Sequence, residues 1–366
     1  MIQKLKNILA HLDRELGFLL WKHKWKKQSL ENHSIIYECL NTSESTVFFD
    51  YKINANFSQE EFFAHFGESY VLKYGSVSLI DSNTGWAWNS KQGLLKKSFP
   101  FAQFPWKNSF YPNHFLFKRV WSRKPAIVLD SAVNMLWYGW TNYYHFLIDI
   151  IPAINYLNSV SLKTKKAVLV PDLALELGFV QEFFTKFPAL FHNIDFVYVP
   201  KNTLVQANEL FLVKASRFDT RYLNPYTHKT NTATKNIFLY RNIASNRAII
   251  NIRELSLVLE KYHFILVDTA LLSLNEQISL FSDAKIVVGI HGAGLANLLF
   301  APKGVSVVEI FHSSSVLPSH YKQLSVSLGH NYSYLVGSCS LNDLEHFTLD
   351  SFILENKLKE LTFDLN

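Results

Sequence analysis

The chain has 366 residues, 48% hydrophobic and 18% charged, which excludes a disordered or low-complexity polypeptide. Its length suffices for two ordinary domains or one large one. Net charge is +6, of which residues 1–27 hold +5; the nearly neutral remainder excludes a broad nucleic-acid footprint.

Ile2, Leu5, Ile8, Leu9, Leu12, Leu16, Leu19 and Leu20 recur at helical spacing, and a basic cluster with Trp21 and Trp25 follows. Residues 1–27 therefore read as a basic amphipathic helix. It suits peripheral contact with an anionic membrane face, or ordinary packing on the body. No cleavable signal peptide and no membrane-spanning segment is expected: the longest apolar stretch, Ile286 to Pro302, contains His291 and glycines. Cys39 and Cys339 form no metal-ligand pattern and no disulfide framework, so a cytoplasmic setting is expected.

Residues 28–125 read as β-rich: Tyr70–Ile80 is strand-like, residues 81–85 form a turn, and alternation resumes at Trp86. From Ala126 the pattern is α/β, with strands at 126–129, 167–170 and 196–199 and helices at 142–158 and 174–187. A polar break over 216–236 reads as a linker. The alternation restarts with strands at 237–240, 264–267, 285–290 and 305–311, and helices at 255–262, 274–282 and from about Leu295. Alternating elements imply parallel sheets with right-handed crossovers. The expected fold is α/β, two Rossmann-like domains facing a cleft, with a β-rich N-terminal portion. The divisions are 28–225 for the acceptor side, 236–340 for the nucleotide side, and 341–366 for a C-terminal helix.

One loop concentrates chemistry. The β-branched run at 286–290 is interrupted by His291-Gly292-Ala293-Gly294, and Leu295 to Phe300 follows. Glycines admit a phosphate close to the backbone, and a helix start supplies unused amides. His291 is placed to donate to a phosphate oxygen. Glu309, near the end of the next strand, is a candidate for the ribose hydroxyls. The loop also matches a dinucleotide fingerprint except at its third glycine, where Asn297 stands. A nicotinamide-linked oxidoreductase is therefore one alternative, and a non-catalytic saccharide- or nucleotide-binding module is another.

Residues 289–300, with His291, Gly292, Ala293, Gly294, Leu295 and Asn297, resemble the signature of glycosyltransferase family 61. Asn142-Tyr143-Tyr144-His145-Phe146, running on to Asp149 and Pro152, is similar to the family's N-x-Y-H-W motif. Tyr240-Arg241 with Ser245-Asn246-Arg247 and Asn251 resembles its arginine motif, although Ile252 stands where an acid often follows. Glu276-Gln277 and Tyr321 also fit. The resemblance spans roughly residues 70–335. It implies a GT-B architecture, inversion at the anomeric carbon and no essential metal or other cofactor.

Under that reading, Arg241 and Arg247 clamp the leaving diphosphate, Arg247 at a helix start, and His291, Gly292, Ala293, Gly294, Leu295, Asn297 and Glu309 complete the donor-binding set. His145 and Asp149, four residues apart, are the candidates for the base, either alone sufficing. Asn142 is a candidate helix cap, with Tyr144 and Glu276 in support. The expected partners are a nucleotide sugar and a saccharide or glycolipid acceptor. By analogy the setting is capsule or lipopolysaccharide synthesis on the inner face of the cytoplasmic membrane.

Overall fold

The computed structural model describes residues 34–38, 69–90, 93–95, 98, 125–160, 167–217, 233–242, 247–312, 317–340 and 343–363. The expected helix over 1–27, most of the polar break, and Ser245 and Asn246 lie outside these residues. Among the described residues, no helix is long and apolar enough to cross a membrane.

The first sheet has nine strands: β1 (Ser34–Glu38), β2 (Tyr70–Tyr74), β3 (Ser78–Asp81), β4 (Ala87–Asn89), β5 (Gly93–Leu94), β6 (Ile127–Asn134), β7 (Ala167–Pro171), β8 (Asp195–Val199) and β9 (Leu204–Lys214). The run expected as one strand from Tyr70 is two strands, β2 and β3. Both lie antiparallel along one edge of β9, while β6 lies parallel along the other. The β-rich and α/β portions thus share a single mixed sheet with β9 at its centre. The sequence pattern gives no strand there, because Gln206, Asn208 and Glu209 break the apolar run. In the sheet Glu209 pairs with Lys73 from β2 and Asn208 donates to Asp130, both within reach of solvent.

Between β6 and β7 the chain is helical in three consecutive pieces: α1 (Tyr143–His145), a π-helical turn (Phe146–Ile150) and α2 (Ile151–Ser159). Asn142 caps the start, accepting from the amides of Tyr144 at 3.0 Å and His145 at 3.3 Å. The helix expected at 174–187 is instead a 3₁₀ turn (Asp172–Glu176) followed by α3 (Gly178–Lys186).

The second sheet is wholly parallel. It comprises β10 (Lys235–Leu239), β11 (Phe264–Val267), β12 (Ala284–Ile290), β13 (Ser306–Phe311) and β14 (Asn331–Val336), in the order β11-β10-β12-β13-β14. Helices α4 (Ile252–Lys261), α5 (Leu274–Ser282) and α6 (His320–Leu328) accompany it. The segment expected as a short helix from Leu295 is 3₁₀ over Ala293–Phe300. The C-terminal stretch is not helix alone: strands β15 (Ser338–Ser340) and β16 (Asp343–Thr348) pair before α7 (Ser351–Phe363).

β12 explains how the layers join. It is buried on both faces, as a central parallel strand must be. Ile286, Val288 and Ile290 pack outward with Leu354 and Leu358 of α7. Val287 packs inward, in one apolar cluster that also holds Ile154, Phe183 and Val133 of the first sheet's layer. Trp140, fully buried, anchors this shared layer and donates from its indole to Met135 O at 2.9 Å.

Candidate functional site

In the second sheet β10 is followed by β11 on one side and by β12 on the other. The chain therefore diverges at the carboxyl ends of β10 and β12, and that divergence opens a crevice where ligands of parallel α/β sheets bind. A cavity of about 470 Å³ lies there. Its walls are Arg241 after β10, Asp268 and Thr269 after β11, and the loop Gly292–Gly294 after β12. Tyr143 and Phe179 close it from the first sheet's helices.

The glycines are needed for close approach, not for unusual backbone angles. A Cβ at Gly292 would sit 1.8 Å from Arg241 Nη2, so the guanidinium lies directly on the loop. A Cβ at Gly294 would sit 2.7 Å from Thr269 Oγ1. The amides of Ala293 and Gly294 precede the first bond of the 3₁₀ segment, Leu295 N to Gly292 O at 3.0 Å. Arg247 adopts a left-handed conformation, φ 67°, in a loop; it does not begin a helix, which starts only at Ile252. Burial and the nearby Arg247 both lower the pKa of Arg241. Two cations that feel each other's charge are relieved together by one anion.

Beside the cavity stand two histidine–carboxylate pairs. His145 Nδ1 meets Asp149 Oδ2 at 2.8 Å, with Asp149 in the π-helical turn. Arg217, just after β9, grips the same carboxylate through Nε and through Nη2 at 2.8 Å. Burial opposes the charge on Asp149, but Arg217 and then His145 outweigh it and hold the carboxyl below the usual range. Asp149 is thereby committed on both oxygens, and a neutral His145 ring presents Nε2 as its acceptor.

The second pair is His291 Nδ1 with Glu309 Oε1 at 2.5 Å. Glu309 Oε2 accepts from Tyr332 at 2.6 Å, and Glu309 is 0% exposed. The expected ribose contact is therefore corrected: both carboxylate oxygens are occupied inside the protein, and Glu309 orients His291. Tyr144 links the two pairs, its ring 5.3 Å from His145 and 5.3 Å from Tyr321, which is 5.5 Å from His291.

Three further expectations change. Asn297 is 0% exposed; its amide donates to Gln277 Oε1 at 2.7 Å and Gly294 O at 3.0 Å, and its oxygen accepts from Tyr143 at 2.7 Å. It ties the glycine loop to the first sheet's layer instead of meeting a ligand. The Leu295 side chain is core. Glu276 forms a capping box with Ser273 at the exposed start of α5; Leu274 and Gln277 of the same turn line the cavity and Glu276 does not. Sequence reasoning missed Arg217, Asp268 and Tyr332. Asp268 carried a usable signal, an acid immediately after a short apolar strand.

Residues 143–308, which hold both pairs' histidines, Arg241 and the glycine loop, match the family model described as Glycosyltransferase 61. This segment belongs to glycosyltransferase family 61. Within it the chain is similar to Protein O-linked-mannose beta-1,4-N-acetylglucosaminyltransferase 2 of Mus musculus and of Homo sapiens, each 33% identical over 142 residues. The protein of the same name from Xenopus tropicalis is 36% identical over 140 residues. Each alignment covers 37% of this chain and 23% of the relative, so the chain matches about a quarter of those relatives' length.

Proposed function

We propose that this chain is a glycosyltransferase that moves a sugar from a nucleotide-sugar donor to a saccharide or glycolipid acceptor. The observation that carries this reading is the cavity at the divergence of β10 and β12, where Arg241 lies on Gly292. Arg241, Arg247, His291 and the amides of Ala293 and Gly294 receive the diphosphate. Asp268, rather than Glu309, takes the ribose hydroxyls. His145 Nε2 removes the acceptor proton, with Asp149 and Arg217 fixing its tautomer. Cations and amides, without a metal, stabilise the leaving diphosphate, and inversion follows from direct attack by the activated hydroxyl. The two sheets correspond to the two units of a GT-B arrangement, divided near 225–236, with the donor held by the second. The relatives' printed name supports an N-acetylglucosaminyl donor as the first to try. Capsule or lipopolysaccharide assembly at the membrane's inner face remains our proposal for the setting.

An NAD(P)-linked enzyme is less well supported. The glycine loop follows β12 rather than the sheet's first strand, and it runs into a 3₁₀ segment instead of a long α-helix.

A thermal-shift panel of UDP-, GDP- and CMP-sugars against NAD(P), followed by product analysis with and without EDTA, tests the reading. One nucleotide sugar is expected to raise the melting temperature and be turned over equally in both buffers. Stabilisation by NAD(P) alone sinks the transferase reading, and stabilisation without turnover favours a binding module.

Gly292→Ala offers a sharper check of the cradle. The atoms nearest the added methyl belong to the flexible end of Arg241. Stability is expected to change by no more than about 0.5 kcal/mol. Nucleotide affinity should fall at least about tenfold, because a hydrogen bond to a charged group contributes about 1.5–3 kcal/mol. Titration calorimetry and a melting curve on the same sample check both halves.

A further inference from the structure

A third histidine stands beside His291 and beside Tyr144, the ring that links the two histidine–carboxylate pairs. His320 opens α6, its ring 5.8 Å from Tyr144 and 6.4 Å from His291. Arg217, His291, His145 and Asp149 all act on it electrostatically. Its Nδ1 is closed off from solvent and has no hydrogen-bond partner among the described residues. Native proteins rarely leave a buried polar atom unpaired, and a ligand group is one way such an atom is satisfied. Burial first, and then Arg217 and the other histidines, bring its pKa down to about 3. The ring is therefore neutral at working pH and carries one donor and one acceptor.

The reaction geometry says what fills this position. The anomeric carbon is bonded to the phosphate that leaves and is attacked by the hydroxyl that enters. The transferred sugar must therefore bridge the phosphate side, at His291 and Arg241, and the base side, at His145. We propose that His320 is a specificity-determining residue whose Nδ1 hydrogen-bonds a hydroxyl or amide group of the transferred sugar. A pyranose offers uncharged donors and acceptors, which a neutral imidazole matches and a charged side chain does not. This assignment rests on the glycosyltransferase reading and extends it to the sugar itself.

The test uses the full chain with the donor found in the nucleotide-sugar panel and with its bare nucleoside diphosphate. His320→Ala removes the ring, whereas His320→Asn keeps an amide near the place of Nδ1. For His320→Ala, kcat/KM for the donor is expected to fall at least about tenfold, as when a polar site loses its partner. Its affinity for the nucleoside diphosphate should stay within about twofold of wild type, since His320 is not assigned to the phosphates. His320→Asn should recover most of the lost rate, and the preference among epimeric or deoxy donors should shift in both variants. Turnover by His320→Ala at the wild-type rate overturns the assignment. So does equal loss of nucleoside diphosphate and nucleotide sugar, or failure of both variants to fold, since each makes the ring structural. If wild type itself binds no nucleotide sugar, the parent reading falls first, and the wild-type panel alone reveals it.

Discussion

His145→Ala is expected to lower transfer about 10²- to 10⁴-fold, the range for loss of a general base, while donor affinity is unchanged. The expectation follows from how the pair is built. Arg217 engages both oxygens of Asp149, and His145 engages one of them. A carboxylate so committed is a weak proton acceptor and a good orienting group, and the proposed mechanism accordingly assigns the acceptor's proton to His145. Asp149→Ala is the poorer experiment. It strands Arg217 as a buried cation without its carboxylate, a change that costs about 3–5 kcal/mol and confounds rate with stability. Steady-state kinetics and donor titration on His145→Ala decide the matter. A turnover near wild type removes His145 from the mechanism, and a parallel loss of donor binding makes it a donor ligand.

Arg241→Ala is the second large effect. The side chain is partly desolvated, lies on Gly292 and feels Arg247 as a like charge. Negative charge grows on the diphosphate as the sugar departs, and a cation in a sheltered crevice interacts with it more strongly than one in water. The expected loss in kcat is about 10²- to 10³-fold, roughly 2.7–4 kcal/mol, as for removing a preorganised donor to a developing oxyanion. Donor affinity should fall as well, because the ground-state diphosphate already carries charge. Arg241→Lys restores the charge without the planar fork, and only part of the rate should return. The outcome that sinks the role is Arg241→Ala with unchanged kcat and a raised KM alone, since this would mean uniform binding rather than stabilisation of the leaving group.

The corrections at Glu309 and Asn297 share one cause. Glu309 reads as a ligand contact from its place near the end of the strand after the glycine loop, and Asn297 from its place in the loop's signature. Burial decides otherwise: a side chain at 0% exposure whose polar atoms are already paired cannot turn outward without leaving those partners unsatisfied. Their place is one layer behind the ligand surface, with Glu309 steering His291 and Asn297 holding the loop against Tyr143. Arg247 illustrates the same limit for the backbone. Its position beside Arg241 comes from a left-handed residue in a loop, not from a helix start, and no local pattern marks it.

What the amino-acid sequence determined by itself is the set of features made by short stretches of chain. The apolar run at 286–290 gave a parallel strand, because a strand buried on both faces needs nothing but apolar residues. Asn142 gave its cap, and the glycine loop gave its room for a close neighbour, because these depend on amides two and three residues away or on the absence of a Cβ. The tertiary structure alone decided the partners. Arg217 reaches Asp149 across 68 residues, Tyr143 reaches Asn297 across 154, and Glu209 of the central strand β9 meets Lys73 of β2. Hydrogen bonds and ion pairs act over a few ångströms in space irrespective of separation along the chain. Their effects on protonation, orientation and access therefore exist only once the sheets have packed.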